Sequence, residues 1–140
     1  MIVTVFGSIS IKTLVPAEHA RVVRLMELGA HILVSDAWGV NLAVQQILAR
    51  AGYRRVTVYH CGVKHRHNVG NWQTIAVRGR FEDKDRAMCS AAEYGLAIWD
   101  GVSRGTSRNV KQLRSEGKRV REVDRTKRDH MVPSTYHATA

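Results

Sequence analysis

Short apolar runs rich in β-branched residues recur along this chain with helix-length stretches between them. Residues 31–35 (HILVS), 55–60 (RVTVYH) and 94–99 (YGLAIW) read as short strands, and residues 2–6 (IVTVF) form a near-continuous apolar, β-branched run. A strand with that pattern is buried on both faces, as in a parallel sheet covered by helices on each side. The intervening segments fit the helices such a sheet requires. Pro16 suits a first helical position and Gly29 a C-terminal cap, and Val22, Val23 and Met26 form an apolar stripe between them, so a helix is predicted over 16–28. Val40, Val44, Ile47 and Ala51 stand at helical spacing and Gly52 closes that segment. Further helices are predicted over 83–93 and 106–116, the latter closed by Gly117, and the basic stretch 118–123 (KRVREV) reads as an edge strand.

The alternation predicts an α/β chain: a three-layer, Rossmann-like domain over residues 1–124, with right-handed crossovers and a mainly parallel five-stranded sheet. A chain of 140 residues that is 44% hydrophobic can bury a core of this kind. Residues 61–80 show no clean period and are rich in Gly, His, Arg and Asn, and a loop of that length within a compact domain is usually functional. Residues 125–140 carry no core pattern and are expected to form a basic, flexible tail or an arm that docks on a partner.

No apolar run approaches the roughly 18 residues a membrane helix needs, and a strand begins at once without a basic leader, so a cytoplasmic protein with no membrane partner is expected. Cys61 and Cys89 form no Cys-x-x-Cys pair and are expected to be reduced. The cluster His60, Cys61, His65 and His67 matches no standard zinc spacing. Neither a metal nor a cofactor is expected.

All strands of a parallel sheet end on one rim, where ligands bind near the point at which strand order reverses. Beside Trp38, which stands either to stack on a base or to serve packing or an oligomer contact, the residues at those ends are Gly7, Ser8 and Ser10, then Ser35, Asp36 and Gly39, then His60 and Gly62, then Asp100, Gly101, Ser103, Gly105 and Thr106. They are small, polar or flexible. Gly105 and Thr106 are read as lying just before a helix, with Ser103 or Thr106 as its cap, so the free N–H groups of the first turn would meet an anion. In the long loop, Arg66 and Asn68 are candidates for contact with a phosphate or base. Trp72 stands either as a stacking surface or as an anchor to the core.

With those residues in place, the chain resembles the SLOG superfamily, the Rossmann-like domains shared by LOG-type phosphoribohydrolases and DprA. It is most similar to the YspA-like branch of small stand-alone proteins. The stretches that carry the likeness are GSISI (7–11), SDAWGVNLAVQ (35–45), RHNVGNW (66–72), KDRAM (84–88) and YGLAIWDGVSRGTSRN (94–109). The resemblance implies binding of a nucleotide or nucleotide-derived ligand at the strand-end rim. In LOG-type hydrolases the Gly-Thr pair is followed by Glu, whereas Ser107, Arg108 and Asn109 follow it here. An N-glycosidic-bond hydrolase built on this chain would have Asp36 or Asp100 as its catalytic carboxylate.

The expected function is therefore binding of a nucleotide-like ligand, with phosphate at 7–10 and 103–106, and glycosidic hydrolysis is the alternative. A second alternative follows from charge. Net charge is +10, and residues 101–140 hold ten Lys/Arg against four Asp/Glu. Arg104, Arg108, Lys111, Arg114, Lys118, Arg119 and Arg121 would form one basic face for nucleic acid, with strongly salt-dependent binding. Self-association into a homo-oligomer is also expected from the resemblance.

Overall fold

The computed structural model of the chain describes residues 1–127. Six strands, β1 (Ile2–Gly7), β2 (His31–Ser35), β3 (Val56–Cys61), β4 (Gln73–Val77), β5 (Tyr94–Trp99) and β6 (Arg119–Asp124), form one sheet in the order β4-β3-β2-β1-β5-β6. Every pairing is parallel. Four helices connect them: α1 (Pro16–Glu27), α2 (Val40–Arg50), α3 (Phe81–Ala91) and α4 (Arg104–Ser115). The α/β, parallel, three-layer expectation holds, with one correction. The sheet has six strands, because the second half of the segment read as a loop pairs with β3 as β4. That strand is a short edge, exposed along most of its length, so burial never stamped an apolar pattern on it.

Alternate residues of each buried strand feed two cores. Val3, Val5, Ile32, Val34, Val56, Val58, Leu96 and Ile98 pack with Val22 of α1 and with Val40, Val44 and Leu48 of α2. Phe6 and Ala97 face the other way, onto Cys89 of α3 and Val110 and Leu113 of α4, while Leu33 and Tyr59 meet Met88. Thus α1 and α2 cover one face, and α3 and α4 the other. Cys61 and Cys89 are unbridged. Burial, assisted by the charges of Asp85 and Glu116, pushes the Cys89 thiol up to about 12.

From β1 to β4 the chain winds outward in one direction. Helix α3 then carries it back across the sheet to β5, on the far side of β1. Strand order therefore reverses between β1 and β5. Two helix starts differ from expectation. Helix α3 begins two residues early, with Asp83 inside the first turn accepting the Arg80 N–H at 2.8 Å. Helix α4 begins at Arg104, so Gly105 and Thr106 lie within its first turn rather than before it.

At the C-terminal end, Arg125 folds back onto the domain. Its guanidinium donates to both carboxylate oxygens of the buried Glu18, at 2.8 and 2.9 Å, and to the Thr13 carbonyl at 2.8 Å. Residue 125 thus belongs to the body rather than to a tail. Residues 128–140 of the expected tail lie outside the described residues. No helix among the described residues is long and apolar enough to cross a membrane.

Candidate functional site

The loops after β1, β2 and β5 are clasped to one another at the point of reversal. Ser8 Oγ accepts the Asp100 N–H at 3.0 Å, and Ser10 Oγ donates to the Asp100 carboxylate at 2.9 Å. The other carboxylate oxygen of Asp100 accepts the N–H groups of Val102 (2.9 Å) and Ser103 (3.1 Å). Asp100 thereby folds the turn into α4, and the Val102 bond foremost, with those of Ser10, Ser8 and Ser103, holds its carboxyl below the usual range despite some desolvation. The Ser8 carbonyl accepts the Val40 N–H at 3.2 Å, at the start of α2. Gly39, at φ +73°, is required at that crossing, since a Cβ there would overlap the backbone of Ser8 and Ile9.

Behind this clasp, on the face covered by α3 and α4, opens a cleft of about 300 Å³. Gly7 and Ile9 form one end, Ser35, Ala37 and Asn41 the floor, and Arg66 a wall; Phe81, Glu82, Lys84 and Asp85 enter from α3, and Ser103, Gly105, Thr106, Arg108 and Asn109 from α4. Lys84 is only 3% exposed. Its Nζ donates to Ser35 Oγ at 2.6 Å and sits 3.2 Å from Asp85, and Arg108 approaches the same carboxylate at 3.8 Å. The cleft thus holds an ammonium, two guanidinium groups and two carboxylates.

Two amides stand out. Asn109 is 5% exposed, and its side chain makes no hydrogen bond among the described residues. Asn41, equally buried, accepts the Ser35 N–H at 3.1 Å with its oxygen and leaves its NH₂ without a partner there. Among the described residues, the enclosed side-chain atoms without a partner are Thr4 Oγ1, His60 Nδ1 and Trp99 Nε1, so the free ends of these two amides are not sealed in the core but reach the cleft that both residues line. The start of α4 adds donors. Ser103 Oγ caps the helix by accepting from Thr106 N (3.3 Å) and Thr106 Oγ1 (2.9 Å), while the N–H groups of Arg104 and Gly105, in the first turn, have no intrahelical acceptor. Packing does not demand the glycine, because a Cβ at 105 would meet nothing closer than Arg108 Nη2 at 3.7 Å. Its absence leaves bare backbone at the cleft.

Asp36 is 1% exposed and fully engaged. One carboxylate oxygen accepts Arg66 N (2.8 Å) and Arg66 Nε (3.2 Å), and the other accepts Arg66 Nη2 (2.9 Å). Burial, the largest single influence, acts to raise its pKa; the hydrogen bonds from Arg66, with the charges of Arg66 and Lys84, outweigh it and hold the carboxyl below its usual value. The guanidinium of Arg66 lies 4.6 Å over the Phe81 ring. The rest of the long loop is fastened down. Gln45 donates to the carbonyls of Ser35 and His67 and accepts the Val69 N–H, and Asn68 brackets the backbone of Trp72 at 2.8 and 3.0 Å.

The structure divides the expected site. Gly7, Ser35, Arg66, Ser103, Gly105 and Thr106 line the cleft. Ser8, Ser10, Asp36, Gly39, Asn68 and Asp100 lie behind it, tying the loops together, so the hydroxyls of the first loop serve Asp100 rather than face a ligand. Trp72 is the anchor: it is buried in the core and donates its ring N–H to the Tyr53 carbonyl at 2.8 Å. Trp38 lies exposed outside the cleft, edge-on to His67 at 4.4 Å, and Gly101 lines a separate depression on the outer flank of α4. Asp36 and Asp100, the candidate catalytic carboxylates, stand outside this lining, and the carboxylates within it are Glu82 and Asp85.

The sequence reading missed Phe81, Lys84, Asn41 and Asn109 as site residues. A signal was present. Phe81, Lys84 and Met88 share one helical stripe, as do Thr106, Asn109, Val110 and Leu113, so a lysine and an asparagine hold positions where the period calls for apolar side chains. The single basic face is corrected too. Arg114 pairs with Glu122 at 2.7 Å, and Lys118 with Glu116 at 2.8 Å. Arg119 and Arg121 line a groove beside α1, whereas Arg104 and Lys111 project from α4 on the other side of the sheet.

Comparison with protein-family models, with curated proteins and with solved structures finds no match to this chain.

Proposed function

We propose that the cleft binds a nucleotide or a nucleotide-derived small molecule, the reading that the SLOG resemblance also favours. The observation that carries it is the pair of buried amides, Asn41 and Asn109, with unmatched hydrogen-bonding groups on a cleft that also holds Lys84 and Arg108. A polar, anionic ligand meets both needs at once. Its phosphate lies on the N–H groups of Arg104 and Gly105, with Lys84 and Arg108 beside it, since the start of a helix favours negative charge. Phe81, backed by Arg66, offers the aromatic surface for a base, and the two asparagines bond its polar edge or the ribose hydroxyls. The cleft stands at the reversal of strand order, where doubly wound sheets bind ligands. Its volume is at the small end of ligand pockets, which span roughly 300–1,000 Å³.

Calorimetric titration with nucleoside mono- and diphosphates tests this. At least one is expected to bind. Asn109→Ala, which breaks no described hydrogen bond, is expected to weaken it tenfold or more with the melting temperature close to that of the parent. Lys84→Met is expected to weaken it as much while also lowering the melting temperature, because it leaves Asp85 and Ser35 without their partner. If none binds the folded protein, or if both variants bind as the parent does, the proposal fails.

A further inference from the structure

A second, larger cavity lies on the opposite face of the sheet from the cleft and has no part in the reading above. It is a groove of about 1040 Å³ between α1 and the β5–β6 edge. Its accessible apolar surface is that of Tyr94, 41% exposed, and of the small Ala17 and Ala20 of α1, with the core residues Val3 and Leu96 closing the bottom beneath them. Helices α1 and α2 cover this face over β1, β2 and β3, and no described helix covers β6 there. Arg21 stands on α1 and Arg119 and Arg121 on β6, and none makes an ion pair among the described residues. Arg21 is partly desolvated and feels the charge of Arg121, and both effects lower its pKa. Like charges thus face each other across an apolar floor with no acid between them.

We propose that this groove docks an acidic amphipathic helix of another protein. The apolar face of that helix fills the position a third helix of this layer would occupy, against Tyr94, Ala17 and Ala20, and its carboxylates meet Arg21, Arg119 and Arg121. A second copy of this chain is a poor occupant, because each copy carries a net charge of +10. Nucleic acid supplies the charge but no apolar face for the floor.

The test uses four fluorescein-labelled probes and the full chain, read by anisotropy. The first is a synthetic peptide with leucines at i, i+3, i+4 and i+7 and glutamates elsewhere. The others are a scramble of it, the same design with lysine for glutamate, and a single-stranded oligonucleotide of equal charge. The acidic amphipathic peptide is expected to bind at least tenfold more tightly than the rest. The double variant Arg21→Glu, Arg121→Glu is expected to lose at least tenfold for that peptide and to gain affinity for the lysine peptide, with its thermal melt intact. Equal binding of the scramble or the oligonucleotide, self-association of the chain at this face, or no change in the double variant would each overturn the proposal.

Discussion

The cleft and the groove are opposites in every respect except net sign. The cleft is small, and its polar groups are buried and interlocked. Lys84 is held by Ser35 and Asp85, and Arg66 is held by Asp36. The groove is more than three times larger; Arg21, Arg119 and Arg121 line it without described partners, while Arg24 pairs with Glu27 at 3.4 Å. Volume alone would rank the groove first. The chemistry of the linings ranks them differently: buried amides without partners suit a small polar molecule whose every group is matched, while exposed charge around an apolar floor suits a helix from a larger partner. The contrast also separates structural charge from available charge. Charges in the cleft wall hold the fold, whereas those of the groove are free to act on something else.

The sharpest way to break that contrast is to cut one charge from each region. Arg66→Ala leaves Asp36 buried beneath the long loop without its main partner. Removing one member of a buried pair costs about 3–5 kcal/mol, and since Arg66 is a third exposed, a loss of about 2–3 kcal/mol is expected here. Urea denaturation measures it. A loss below about 1 kcal/mol would mean that the cleft wall is as dispensable as the groove rim.

A pH scan refines the same point. The Asp36 carboxyl is held below its ordinary value of 3.8 in the folded state. A depressed acid contributes stability that is fully present above its unfolded pKa and is lost as pH falls through the folded pKa. Stability is therefore expected to be flat on this account above about pH 5 and to fall as pH drops below about 4, by at most about 1.4 kcal/mol per pH unit for each proton taken up. Asp36→Asn should flatten that acid limb. Asp100, half-buried and bonded mainly to its own turn, should flatten it less when changed to Asn. An acid limb that persists unchanged in Asp36→Asn would remove the carboxylate from the account of the long loop.

What the sequence revealed, and what it hid, follows burial. The four short strands rich in β-branched and apolar residues and the helices between them were legible because both strand faces are covered, so burial wrote its pattern into the sequence. Strand β4 was not legible, because Ile75 is the lone large apolar residue on its exposed middle and Gln73 and Ala76 face solvent. The rim was legible as a place, since strand ends in a parallel sheet must converge, but not as a set of contacts. Ser8, Ser10 and Asp100 are the residue types that bind anions and also those that tie turns, and only coordinates show that they bind one another. Lys84 and Asn109 were hidden for the opposite reason. They sit inside helices, where attention falls on apolar periodicity, although each interrupts the stripe it belongs to.

The smallest effect gives the most selective comparison. Arg121→Ala removes one of two facing guanidinium groups from the groove. Nothing described bonds Arg121, and its neighbour Arg21 is held down by desolvation and by the Arg121 charge. Interactions between exposed charges amount to roughly 0.2–1 kcal/mol and weaken with salt. Relief of the repulsion is therefore expected to raise stability by about 0.5 kcal/mol at low salt, and the gain should vanish near 1 M salt, where the screening length falls to about 3 Å. Nucleotide affinity at the cleft should not change, because the two regions lie on opposite faces of the sheet. A loss of stability on this substitution would show that the arginine serves the fold after all, and the division between structural and available charge would then have to be redrawn.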